Sequence, residues 1–227
     1  MEKRNKELNY RLAMTGVLGA LSIILSITPL GYISLGGFIN ITTMHIPAIL
    51  AVLTAGLAPG ICVGLIFGLS SLIRTTMMGG GAAPFFMNPL VSVLPRMLFP
   101  IAVWAVYKLL NLIPKMPKVI SGAVASGIGT FMHTLLVMGA IYILYGQSLL
   151  EGMTNVLQNL GYDISSLSAI GGFIAIMIGT LATNGIWEII AAIILTAAVQ
   201  SSIYAATNKK SKLSKSIQNA SEHSEKS

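Results

Sequence analysis

The chain has 227 residues, 54% of them hydrophobic and 9% charged, with a formal charge of +7. Water-soluble domains carry about 25% charged residues, so this composition excludes a fully hydrated surface and makes lipid part of the solvent. The single Cys62 excludes a disulfide framework and a cysteine-built metal centre, and the positive charge, gathered in tails and short loops, marks membrane topology rather than a nucleic-acid face.

Residues 1–10 are a short basic segment ahead of the first apolar run, 10–28. That run has no small-residue cleavage site and reads as a retained helix, not a removed signal. It carries Ala13, Gly16 and Ala20 on one helical stripe, a spacing that lets a second helix approach closely. Pro29-Leu30-Gly31 ends it. Runs at 43–57 and 60–76 follow, turned at Ala58-Pro59-Gly60. Both are short for ideal spans, and a hairpin packed within the bundle is the alternative. Gly79-Gly80-Gly81 opens a loop, and runs at 89–111 and 118–145 are separated by Pro114 and Pro117.

The last apolar stretch, 171–205, is too long for one simple span, and charge decides how to divide it. Of the 14 Lys and Arg residues, twelve (Lys3, Arg4, Lys6, Arg11, Lys108, Lys115, Lys118, Lys209, Lys210, Lys212, Lys215 and Lys226) fall on one side if the spans alternate; only Arg74 falls on the other, with Glu151 and Asp163. This asymmetry puts both termini in the cytoplasm and makes the number of spans even. The expectation is therefore one span at 184–205, preceded by an apolar segment folded against the outer face. The fold class is all-α: a six-helix membrane domain over 11–206 and a Ser-, Lys- and Glu-rich tail, 207–227, expected to be disordered.

Charge at bilayer depth costs a few kcal/mol even on lenient scales, so it marks function by default. Arg96 and Glu188 stand in apolar runs. They either line a polar cavity that grips a solute or pair with each other to hold the bundle, and the two roles are compatible. Arginine suits a carboxylate because its planar fork donates two parallel hydrogen bonds. Asn40, Thr42, Thr43 and His45 end the first outer loop, Asn88 and Ser92 open the fourth run, and Asn184 precedes Glu188 by one helical turn. These polar groups gather at one mouth, as small-molecule sites require. His45 and His133 have no second ligand at a metal-binding spacing. His133 shares a face with Ala125 and Gly129, which reads as helix packing.

In order and at these spacings, several segments resemble the S component of energy-coupling factor (ECF) vitamin transporters, the membrane subunit that captures the vitamin. The segments are the small-residue stripe, Ile39-Asn40-Ile41-Thr42-Thr43-Met44-His45-Ile46-Pro47, Phe67-Gly68-Leu69-Ser70-Ser71-Leu72, Asn88 to Arg96, and Asn184-Gly185-Ile186-Trp187-Glu188. The resemblance covers about residues 8–206. It implies that Ala13, Gly16 and Ala20 face a T subunit, where the family has two alanines four apart, and that the vitamin lies near Asn40 to His45 and Asn184 to Glu188. It implies two cytoplasmic ATPase subunits as partners. The chain itself has no phosphate-binding loop, so ATP is used by the partners and no cofactor is expected on this chain.

The Thr-Met-His-Ile-Pro and Leu-Pro-Arg segments look most like the pantothenate and riboflavin-type branch. Arg96 favours carboxylate-bearing pantothenate, while Tyr32, Phe85, Phe86 and Trp187 keep riboflavin open. The expected substrate-binding residues are thus Arg96, Glu188, Asn184, Asn40, Thr43, His45 and Asn88, in a multi-pass protein of the cell membrane. An enzyme is disfavoured, since no nucleophile–base or metal motif is present. A self-sufficient secondary transporter remains a rival, although no internal repeat supports it.

Overall fold

A computed structural model describes residues 2–34, 40–78, 83–159 and 169–225, and the molecule it shows is a helical bundle. Helix α1 (Glu2–Ile27) ends in a 3₁₀ turn at Pro29–Gly31. Two three-residue strands, β1 (Tyr32–Ser34) and β2 (Asn40–Thr42), pair antiparallel, with Tyr32 opposite Thr42. This hairpin delivers the chain to α2 (Ile46–Ala55), which has Pro47 in its first turn, where a missing N–H costs nothing.

Helix α2 corrects one expectation. The run at 43–57, read as the second span, folds as a ten-residue helix. At 1.5 Å per residue it is about 15 Å long, half the hydrocarbon thickness of about 30 Å. It stops at Gly56, whose φ of 101° favours glycine and whose N–H caps the carbonyls of Ala51 and Val52. Residues 46–52 are all buried, against α1, α3, α6, α7 and α9. The short apolar run was thus a core element, with the hairpin alternative correct in its first half only.

The second half, α3 (Leu57–Met78), is a full-length helix. Short helices α4 (Ala83–Phe86) and α5 (Pro89–Ser92) lead into α6 (Leu94–Leu110), where Pro100 sits inside the helix. Helix α7 (Lys118–Asn159) departs from helical geometry at Tyr145, with φ −135° and ψ 15°. Five helices among the described residues are long and apolar enough to cross a membrane: Glu2–Ile27, Leu57–Met77, Pro89–Leu110, Lys118–Ser148 and Met177–Ala206.

The last of these departs from expectation at its start. Residues 170–183 do not form a separate segment laid against the bundle. Helix α8 (Ala169–Thr180) runs through a π turn (Leu181–Gly185) into α9 (Ile186–Glu225), with ordinary helical dihedrals at Thr180 and Ile186 on either side. Helix α9 also carries its backbone helix across the tail that composition marks for disorder, to Glu225.

The core joins α2, α3, α6, α7 and α9 through Ile49, Val63, Phe99, Val103, Ala125 and Ala192, all fully buried. Large apolar side chains such as Val17, Ile73, Ile143 and Ile194 face outward, as lipid-facing residues do in a membrane bundle.

Candidate functional site

The alternation of the helices brings the ends of α1, α3 and the α7 span together with the starts of α2, α6 and α9, and the β-hairpin closes this end of the bundle. Hydrogen bonds tie it together. Thr43 Oγ1 donates to the Leu30 carbonyl at 2.9 Å, Asn88 Nδ2 donates to the Tyr145 hydroxyl at 3.1 Å, and Thr42 binds Glu188.

Arg96 lies at this end, third residue of α6 and only 5% exposed. Its Nη1 donates to the Val91 carbonyl at 2.5 Å. The guanidinium carbon sits 5.5 Å from the centre of the Phe67 ring and 5.2 Å from that of Phe86, where the ring faces attract a cation. Ser92 donates to the Phe86 carbonyl and so fixes the chain that carries this ring. Gly64 lets α3 come close enough that a Cβ there would run into the Arg96 carbonyl. Arg96 is therefore positioned from three sides: helix α3, aromatic rings and the short helix α5 ahead of its own.

Glu188, 8% exposed, opens α9 just after the π turn. Its Oε1 accepts from the Thr42 amide at 3.0 Å and from Thr42 Oγ1 at 2.5 Å. Thus β2 is fastened to the last helix by a carboxylate.

The two histidines meet. His45 precedes α2 and His133 is midway along α7, yet their rings stack with centroids 5.7 Å apart and planes 13° from parallel. Phe99 approaches His133 edge-on at 5.1 Å, and Phe67 lies 5.8 Å from it. His45 is fully buried and His133 7% exposed. Among the described residues no three His, Cys, Asp or Glu side chains converge on one point as a metal site would.

The residues singled out from sequence fall as follows. Arg96, Glu188 and His45 are all buried at this end, and Thr43 is buried beside them. Asn184 lies within the π turn, one turn from Glu188. Asn88 is half-buried, and its amide caps α5 at the Leu90 N–H as well as holding Tyr145. The Asn40 side chain lies outside the described residues, although its backbone is in β2. Sequence reasoning gave His133 a packing role alone and attached no role to Phe67. Both face the site from helices far apart in sequence, so no local spacing relates them. On the far side of α1, Ala13, Gly16 and Ala20 are exposed, while Leu18, Gly19, Ser22 and Ser26 turn inward.

Comparison with known proteins agrees with this architecture. Residues 10–200 match the family described as ECF transporter, substrate-specific component. The chain is also similar to the pantothenic acid transporter PanT of Lactococcus lactis subsp. cremoris (strain MG1363), with 26% identity over 182 residues, covering 74% of this chain and 79% of that one.

Proposed function

Because the chain belongs to the family of ECF transporter substrate-specific components, and so is a multi-pass protein of the cell membrane, we propose that it captures pantothenate at the outer face. The hairpin end of the bundle is then extracellular and both termini are cytoplasmic, in keeping with the charge asymmetry. Uptake is driven by a T subunit and two cytoplasmic ATPases, which use ATP; this chain binds the solute and catalyses no reaction.

The observation that carries the choice of solute is the buried Arg96, set among aromatic rings beside the hairpin. A cation in that position favours a carboxylate, and the similarity to a pantothenic acid transporter points the same way. Riboflavin is a weaker reading. It is uncharged and wants free aromatic faces to stack on, and the Phe67 and Phe86 rings are already turned to the guanidinium.

The purified chain should bind pantothenate in a calorimetric titration and release it to mass spectrometry when isolated from cells. Arg96→Ala should weaken pantothenate binding by at least about tenfold, since an ionic hydrogen-bonded partner is lost from a buried site. A chain that carries riboflavin instead, or an Arg96→Ala variant of unchanged affinity, refutes the assignment.

A further inference from the structure

Three nitrogen atoms stand out in the bundle interior: Nδ1 and Nε2 of His45 and Nε2 of His133 are buried without a hydrogen-bond partner. Buried polar side-chain atoms are nearly always satisfied, and exceptions call for an explanation. At His133 a plain packing role would be met better by phenylalanine, since Phe67, Phe99 and the His45 ring surround it.

The pair is not placed at random. His45 stands two residues beyond Thr43, in the segment that Glu188 and Leu30 hold through Thr42 and Thr43, and it stacks on His133. A neutral imidazole offers one donor and one acceptor. That is the complement of a hydroxyl, which also donates and accepts, whereas a carboxylate only accepts and goes to the guanidinium.

We infer that His45 and His133 form a neutral subsite that binds the hydroxyl-bearing end of the solute, while Arg96 holds its carboxylate. The inference rests on the pantothenate reading above and deepens it, because it fixes the direction in which the molecule lies. The solute class it selects has an anionic group at one end and hydroxyls at the other.

The test compares two ligands on two proteins. Pantothenate and N-(3,3-dimethylbutanoyl)-β-alanine share a carbon skeleton and a carboxylate, but the second lacks both hydroxyls. The unaltered chain should prefer pantothenate by about tenfold or more, the scale of a lost hydrogen bond in a buried site. His133→Phe should lose that preference by weakening pantothenate alone, and the empty variant should melt no lower than the parent, because an unmet polar atom has gone. Equal weakening of both ligands, or unchanged pantothenate affinity in His133→Phe, overturns the subsite.

If the unaltered chain binds neither ligand, the pantothenate reading falls and the subsite with it. If it binds both without preference, only the subsite falls. Imidazole ¹⁵N resonances give a second measurement on the unaltered protein that does not depend on any variant folding. Those of His45 and His133 should shift on adding pantothenate, and resonances that stay in place overturn the inference.

Discussion

At the scale of single residues, Glu188 shows how a membrane protein uses an expensive charge. Its carboxylate accepts two hydrogen bonds from one threonine, so the end of the hairpin is tied to α9 at Thr42. Hydrogen bonds to charged groups contribute about 1.5–3 kcal/mol. Glu188→Ala should therefore speed hydrogen exchange at the Thr42 amide by tenfold or more, and an exchange rate equal to the parent's would show that the carboxylate does not hold the strand. Arg96 and Glu188 were legible from sequence because charge inside an apolar run is rare enough to stand out. His133 was not legible as a neighbour of His45. Its neighbours come from α2, α3 and α6, and the four-residue steps on its own helix show only packing: Gly129 does lie against Val103.

At the scale of elements, the site depends on how closely α3 and α6 approach. A methyl group at Gly64 has no room beside the Arg96 carbonyl, and overpacking of this kind costs roughly 1–3 kcal/mol. Gly64→Ala should lower the melting temperature and weaken solute binding together, because the Arg96 backbone must shift. A variant with parental stability and affinity would show that α3 does not set the position of Arg96. Gly16 behaves oppositely. Nothing lies within 4 Å of a Cβ placed there, so Gly16→Trp should leave folding and binding intact. It should nevertheless abolish co-purification with the T subunit and uptake; a transporting variant would make the stripe on α1 a lipid-facing surface. Run lengths and breakers located most of the helices, but the depth of α2 was hidden. Apolar content alone does not separate a short span from a helix enclosed by its neighbours, and only the cap at Gly56 fixes its length.

For the whole molecule, the charge asymmetry predicts that a cysteine introduced in the 207–227 segment reacts with an impermeant thiol reagent only after the membrane is opened. Reaction in intact cells would invert the bundle and place the hairpin on the cytoplasmic side. The fold class was plain in the sequence because lipid permits only helices or closed barrels, and the apolar runs are of helical length. The path of the last helix was not plain. Its apolar stretch exceeds one span, and Asn184-Gly185, a pair that ordinarily signals a turn, lies in a π turn that lets α8 flow into α9.

That turn, Leu181–Gly185, also sets the angular phase of everything after it. Each residue of an α-helix advances the side chains by about 100°, and a π turn accommodates one residue beyond the regular repeat. If the same five residues wound as ordinary α-helix instead, the residues before and after the turn would change azimuth by roughly a quarter revolution relative to each other. With α9 anchored in the core by Ala192, the mismatch would fall on α8 and on Asn184. With α8 anchored, it would swing Glu188 away from Thr42. The π turn thus absorbs the surplus residue and lets both halves of a long rod keep their facing, and winding it as regular helix would force one half to give up its neighbours.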